Sequence, residues 1–174
     1  MAATRTRSKV ARIWRHLWLD DADTRKAVPA DLAERLMRRV AASERRHSGE
    51  VRIYVEAALP LSYLWRNARP RERALAMFGK LRVWDTEQNN GVLIYLLLAE
   101  HAIEIVADRG LAGKVPPGEW QAIVARMGST LREGRFEDGL TQALEEVSAL
   151  LVAHFPAQAG AANPNELPDA PVLG

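Results

Sequence analysis

The chain has 174 residues, with 24 Lys and Arg against 22 Asp and Glu, four His and no Cys. This length suits one domain with flexible ends. The absence of cysteine excludes disulfides, thiolate metal sites and cysteine nucleophiles, and the histidines have no i, i+4 metal-binding pair. No apolar run approaches the roughly 20 residues of a membrane-spanning helix, and the start of the chain lacks the apolar stretch of a secretory signal. We therefore expect a cytoplasmic protein.

The first part of the chain forms a basic head. Through Arg46 there are 12 Lys and Arg against 6 Asp and Glu, whereas the remainder has 12 against 16. Such an asymmetry is typical of contact with an anionic partner, although the same charges can simply solubilise a helix face.

A basic, amphipathic helix and a linker are predicted over residues 1–28. Apolar residues recur at i, i+3, i+4, i+7 and i+8, which makes one stripe: Val10, Ile13, Trp14, Leu17 and Trp18. Two interpretations stay open. Trp14 and Trp18 either pack on their own domain or make peripheral contact with an anionic membrane. We do not expect a nucleic-acid partner, because the charges are few and no known reading motif accompanies them.

Helices and strands then alternate along residues 29–155. A helix follows Pro29, and residues 51–56 alternate apolar and polar, which predicts a strand with one wetter face. Pro70 begins another helix. The apolar run 92–98 predicts a strand buried on both faces, and a short turn over 99–101 predicts that 103–107 return antiparallel. Two further helices complete the domain.

These elements predict an α/β fold. It is an αβα sandwich with a small mixed sheet, helices on both faces and extra N-terminal helices. The residues 156–174 are rich in Ala, Pro and Asn without periodicity, and we expect them to be disordered. The strand order brings three polar segments to one edge of the sheet: 47–50, 85–90 and 108–109.

Four segments of the chain resemble the TPM domain family. They are residues 48–53, the Asn-Asn-Gly and apolar strand of 89–94, the strand 103–106 with Gly110-Leu111, and 136–140. The resemblance covers about 47–155 and identifies the chain as similar to a soluble, cytoplasmic-type bacterial member. It implies an αβα sandwich around a mixed sheet, with calcium binding or acid phosphatase activity in some members. The family's usual Asp is replaced here by Asn89, and its Gly-Tyr-Gly by Asp108-Arg109-Gly110.

Oxygen-bearing side chains at the predicted edge form a candidate cation site. Ca²⁺ and Mg²⁺ prefer carboxylate, carboxamide and carbonyl oxygens. The candidate ligands are Asp85, Glu87, Asn89, Asn90 and Asp108. The same residues could instead cap turns, with Gly91 permitting entry into the strand. The leading hypothesis is an interaction or regulatory module that binds an unidentified protein partner and can take a divalent cation at 85–91 and 108–110.

The alternative hypothesis is a metal-assisted acid phosphatase, a phosphomonoesterase. Asp85 or Asp108 would hold the metal, and Arg109 or Arg52 would clamp the phosphoryl oxygens. Ser48 has no nucleophile-elbow context, because the chain contains no G-x-S-x-G. We expect His47 to interact with a helix C-terminus rather than to act as a base.

Overall fold

The computed structural model describes residues 2–158 and 165–174, with side chains described from Val10 onward in those ranges. The helices are α1 (Ala2–Leu17), α2 (Asp21–Ala27), α3 (Ala30–Glu44), α4 (Leu61–Trp65), α5 (Pro70–Lys80), α6 (Arg109–Ala112), α7 (Pro117–Arg132) and α8 (Phe136–His154). The strands are β1 (Val51–Glu56), β2 (Val92–Leu97), β3 (Ala102–Ala107) and β4 (Val172–Leu173). None of these helices combines the length and the apolar composition needed to cross a bilayer.

The strands form one mixed sheet in the order β3-β2-β1-β4. Strands β1 and β2 are parallel, with Val51 opposite Val92. Strands β2 and β3 are antiparallel, with Val92 opposite Ala107. The hairpin between them turns through a 3₁₀ turn at Leu98–Glu100 and a left-handed His101, with φ of 49°. The predicted buried strand and the predicted hairpin are both confirmed.

Helices cover both faces of the sheet and bury two apolar clusters. Ile53 and Ile94 point to the face covered by α3, α7 and α8, where Leu36, Met127 and Leu144 are buried. Leu93 and Tyr95 point to the opposite face, which α4 and α5 cover. This alternation follows from the two-residue period of a strand, and it confirms the predicted α/β fold with helices around a mixed sheet.

The wetter face predicted for β1 is wrong. Every residue of β1 is buried, including Arg52, Tyr54 and Glu56. The polar side chains are tolerated because they have partners. The Glu56 carboxylate, for example, accepts hydrogen bonds from the hydroxyls of Tyr54 at 3.1 Å and Tyr95 at 2.7 Å, and it pairs with Arg73.

The disorder expected for residues 156–174 is also wrong over 165–174. Val172–Leu173 form β4, which pairs in parallel with β1 at Tyr54 and Val55, and Leu167 is buried. The physical reason is that β1 would otherwise be an uncovered edge with unpaired backbone groups. The expectation for residues 159–164 lies outside the described residues.

Candidate functional site

Three segments meet at one edge of the sheet, as their strand order predicts. The Val92 N–H donates to the Glu50 carbonyl at 2.8 Å, which joins the starts of β1 and β2. The Asp108 N–H donates to the Gly91 carbonyl at 2.8 Å, which joins the start of β2 to the end of β3. Backbone pairing therefore fixes the relative positions of 47–50, 85–91 and 108–110.

Asn90 is the buried centre of this edge. Its Nδ2 donates to Ser48 Oγ at 3.2 Å, and Ser48 Oγ in turn donates to Gln88 Oε1 at 3.0 Å. The Asn90 backbone N–H donates to Thr86 Oγ1 at 3.1 Å. The remaining polar atom, Asn90 Oδ1, is buried and has no hydrogen-bond partner among the described residues. Buried acceptors are normally satisfied in folded proteins, so this oxygen requires an explanation.

Asp108 supplies a second buried oxygen that has no hydrogen-bond partner among the residues that the structure describes. It is the N-cap of α6, and its Oδ1 accepts from the Arg109 backbone N–H at 2.7 Å. Its Oδ2 is buried without a hydrogen-bond partner in the described part of the chain. Asn90 and Asp108 lie on segments joined by the Asp108–Gly91 hydrogen bond. The edge therefore holds one unsatisfied carboxylate oxygen and one unsatisfied carboxamide oxygen.

Asn89 links the polar loop to the segment that follows β3. Its backbone is left-handed, with φ of 52°, a conformation that Asn tolerates better than most residues. Its carbonyl accepts from the Gly110 N–H at 2.9 Å, and its Oδ1 accepts from Arg109 Nε at 3.1 Å. A Cβ on Gly110 would lie 2.5 Å from the Asn89 carbonyl oxygen. This close approach explains why a glycine occupies position 110.

Asp85 and Glu87 have other surroundings. Asp85 forms an ion pair with Arg82. Glu87 is exposed, and its backbone N–H donates to the Glu166 carboxylate at 3.0 Å. No group of three or more His, Cys, Asp or Glu within the described ranges could hold a metal ion. Backbone hydrogen bonds thus place Asn89, Asn90 and Asp108 on adjoining segments, whereas Asp85 and Glu87 contact other groups.

Sequence reasoning missed a carboxylate cluster beside β1. Glu44 accepts from the Val51 N–H at 2.9 Å, while Glu50 accepts from the N–H groups of Glu166 at 3.2 Å and Leu167 at 3.1 Å. Burial, reinforced by the nearby charges of Glu50 and Asp169, raises the pKa of Glu44 to about 8. Burial likewise raises the pKa of Glu50. The apolar Leu167 and the Val172-Leu173 pair were the signal that this segment returns to the core.

Arg52 belongs to this cluster rather than to an open site. It is only 6% exposed, and its Nη1 donates to the Ala170 carbonyl at 3.3 Å. Burial lowers its pKa, against the opposing effect of Asp169, Glu44 and Glu50. A guanidinium enclosed in this way is poorly placed to clamp a soluble phosphoryl group. Of the two candidate arginines, Arg109 is the exposed one at the Asn90–Asp108 edge.

His47 is fully buried after the end of α3. Its Nδ1 lies 3.0 Å from the Gly49 carbonyl oxygen. Burial lowers the pKa of His47 to about 4, so the ring is neutral near pH 7. A neutral, enclosed imidazole differs from the charged histidine expected at a helix C-terminus.

The chain was compared with known protein families and with solved structures. The family model for the TPM domain matches residues 22–150. The NMR structure of BA42 protein from the psychrophilic bacterium Bizionia argentinensis has a TM-score of 0.73 and 24% identity, covering 84% of this chain and 95% of that one. The N-terminal domain of a P. gingivalis protein has a TM-score of 0.59 and 22% identity, covering 75% and 83%. At these identities the two structures show a shared fold. No curated protein matches the chain.

Proposed function

Because this chain belongs to the TPM domain family, we propose that it is an interaction or regulatory module whose Asn90–Asp108 edge binds a divalent cation, Ca²⁺ or Mg²⁺. The observation that carries the proposal is the pair of buried oxygens without hydrogen-bond partners, Asn90 Oδ1 and Asp108 Oδ2. Leaving a buried acceptor unsatisfied costs about 1–3 kcal/mol. In this proposal the cation is held between the two segments and is coordinated by both oxygens.

The chemistry of the donors favours weak binding with a preference for Ca²⁺. Calcium accepts a mixture of carboxylate, carboxamide, carbonyl and water oxygens in flexible geometry, whereas Mg²⁺ demands a near-octahedral shell. Asp108 would supply the charge and Asn90 a neutral oxygen. Arg109, which donates to Asn89 Oδ1, places a positive charge nearby and opposes a cation. We therefore expect a dissociation constant of roughly 10⁻⁴–10⁻³ M, the weak end of protein calcium sites.

A titration followed by amide NMR spectra tests the proposal. Adding CaCl₂ or MgCl₂ should shift the amide signals of residues 88–91 and 108–110 together. Asp108→Asn should remove most of the response and Asn90→Ala should weaken it. Asp85→Asn is the matched control, because it removes a carboxylate of the same loop that pairs with Arg82. Thermal unfolding of each variant checks that the fold survives.

Two results would overturn the cation site. One is a set of shifts confined to α7, α8 or the 165–174 segment. The other is an equal response in the wild type and in folded Asp108→Asn. If Asp85→Asn abolishes the response and Asp108→Asn does not, the ligands are those of the exposed loop and the proposed edge is wrong.

Arg109 gives the phosphatase alternative its specific support. Its guanidinium lies beside Asn89 and follows Asp108 directly, so a positive group for phosphoryl oxygens adjoins the candidate cation site. Without a cysteine or a serine elbow, water would be the nucleophile, and a bound metal would supply its activation. Slow hydrolysis of a generic phosphomonoester, lost on chelation and in Asp108→Asn and reduced in Arg109→Ala, would support it. Activity that survives chelation would reject it.

The proposed module acts in the cytoplasm and contacts a protein partner. Fractionation of cells that express the tagged chain tests the location. Recovery with the membrane fraction in high salt, or outside the cell, would contradict it.

A further inference from the structure

Helix α1 is bound to the domain through its polar side chains. Arg12 donates from Nε to Glu100 Oε1 at 2.6 Å and from Nη2 to the Ala68 carbonyl at 2.6 Å. His16, which is buried, accepts the Leu59 N–H on Nδ1 at 2.9 Å. Its Nε2 is therefore the protonated nitrogen that donates to Glu100 Oε1 at 2.9 Å. These contacts fix which side of α1 faces the domain.

The apolar stripe of α1 consequently faces outward. Trp14 is 57% exposed, Leu17 is 59% exposed and Trp18 is 78% exposed. Val10, at 50%, continues the same stripe, and only Ile13 packs against the core. Large apolar side chains are normally buried in a helix that packs on its own domain. The interpretation that Trp14 and Trp18 pack on their own domain is therefore wrong, because α1 docks through its polar side chains and leaves both tryptophans exposed.

Helix α4 adds to the exposed apolar area close to α1. The anchors of α1 are Leu59, which precedes α4, and Ala68, which follows it. Helix α1 therefore contacts residues close to both ends of α4. On α4, Leu61 is 53% exposed and Trp65 is 76% exposed. We call the exposed apolar residues of both helices the tryptophan face: Val10, Trp14, Leu17, Trp18, Leu61 and Trp65.

Charge complementarity indicates what would cover this face. Helix α1 has five Lys and Arg residues and no Asp or Glu: Arg5, Arg7, Lys9, Arg12 and Arg15. Arg15 is exposed, and Arg66, which follows Trp65 directly, is 54% exposed at its side chain and pairs with the half-exposed Glu72 at 3.3 Å. The nearest acidic residues in sequence, Asp20, Asp21 and Asp23, follow the end of α1. A second copy of the chain would bring two basic helices together, which like charges disfavour.

We propose that the tryptophan face docks on the surface of an anionic lipid bilayer. Tryptophan has an apolar ring and an N–H donor, and it favours the boundary between headgroups and acyl chains. Basic residues around an apolar helix face add attraction to anionic lipid. The proposal uses neither the Asn90–Asp108 edge nor any cation, so it stands or fails separately from the proposed function.

Vesicle binding by the full chain tests the proposal. Sedimentation is measured with vesicles of phosphatidylcholine alone and with vesicles containing about 30% phosphatidylserine, at low and high salt. We expect binding only to the anionic vesicles, a blue shift of tryptophan emission, and weakening as salt screens the charges. The double variant Trp14→Ala/Trp18→Ala should bind at least about tenfold more weakly.

Two further variants separate this interpretation from general effects. Trp84→Ala is the matched control, because Trp84 is 51% exposed but lies outside α1 and α4, and it should bind vesicles like the wild type. Arg15→Glu keeps the tryptophans and should bind at least about tenfold more weakly, since each basic residue near an anionic surface contributes to the attraction. Its exposed position makes a folding defect unexpected.

Several outcomes would overturn the proposal. Wild-type protein that ignores anionic vesicles at low salt would do so, as would equal binding by the Trp14→Ala/Trp18→Ala variant. Equal losses in Trp84→Ala would mean that the response is not specific to the face. A concentration-dependent dimer that disappears in the double variant, without vesicle binding, would assign the face to a second copy of the chain.

Discussion

Glu50 and Leu167 are 117 positions apart, and the Leu167 N–H donates to Glu50 Oε2 at 3.1 Å. The other carboxylate oxygen accepts from the Glu166 N–H at 3.2 Å. One side chain at the start of β1 therefore anchors the segment that ends in β4. We predict that Glu50→Ala increases amide hydrogen exchange in residues 166–174 and lowers the free energy of unfolding by about 1–3 kcal/mol. Glu145→Ala is the control, since Glu145 is 57% exposed in a surface ion pair; equal exchange in both variants would contradict the prediction.

Glu44 should make the stability of the chain depend on pH. Its pKa rises from an ordinary 4.5 to about 8 in the folded chain because it is buried, with Glu50 and Asp169 close by. The folded chain therefore holds a proton that the unfolded chain releases between these values. The contribution of Glu44 to the free energy of unfolding is therefore fully present below pH 4.5, and it is lost as pH rises toward 8.

The measurement is the free energy of unfolding of wild type minus that of Glu44→Gln, from pH 4.5 to 8. We expect this difference to fall as pH rises. Subtracting the variant is necessary because burial lowers the pKa of His47 from 6.5 to about 4, which makes the folded chain less stable as pH falls through that window. A difference that stays constant with pH would show that Glu44 ionises normally. The charged groups facing Glu44 are Glu50, Asp169 and Arg52.

Glu56 should be one of the most sensitive buried positions. Its carboxylate accepts from Tyr95 Oη at 2.7 Å and from Arg73 Nε at 3.0 Å. Removing one partner of a buried ion pair leaves the other charge unpaired, at a cost of about 3–5 kcal/mol. We predict this loss for Glu56→Ala in denaturant unfolding. Asp138→Ala, which breaks an exposed pair with Arg135, should cost less than about 1 kcal/mol. Similar losses would mean that the buried network contributes little.

Two glycines should respond to alanine in opposite directions. A Cβ on Gly91 would lie 2.0 Å from the Val83 carbonyl oxygen, so Gly91→Ala must displace backbone and should destabilise the start of β2. A Cβ on Gly79, within α5, would have nothing within 4 Å. Gly79→Ala should stabilise by about 0.5–1 kcal/mol, because alanine favours helix. Melting temperatures of the two variants check the opposite signs, and a stabilised Gly91→Ala would contradict the model of close approach.

The parts of the fold that sequence could predict are those that depend on local period. The unbroken apolar run of β2 indicated a strand buried on both faces, and the short turn at its end indicated the antiparallel return. The backbone pairing of Asp108 with Gly91, the residue after Asn90, then followed from strand direction alone. By contrast, Arg12 contacts Glu100 at a separation of 88 positions, and that contact determines which side of α1 faces the domain. A helical wheel identifies the stripe but does not show its orientation.

The candidate site was predictable to a similar extent. Residue types and topology indicated Asn89, Asn90 and Asp108, whose segments adjoin at one edge of the sheet; cation binding by these residues stays a prediction. The ion pair of Asp85 with Arg82 has i, i+3 spacing and could have been read from the sequence. The Glu44 and Glu50 cluster was harder to predict, because the Pro and Asn content of residues 165–170 resembles that of a disordered segment, and the apolar residues Leu167, Val172 and Leu173 were the signal against that interpretation.

The pairing of β4 with β1 has a consequence for synthesis of the chain. Arg52 and its partner Ala170 are 118 positions apart, so the ribosome makes β1, β2 and β3 long before the residues that close the open side of β1. Throughout that interval a nascent sheet exposes unpaired backbone groups, the kind of edge through which partly made chains associate. We therefore expect the nascent chain to be most open to such association before residues 165–174 emerge.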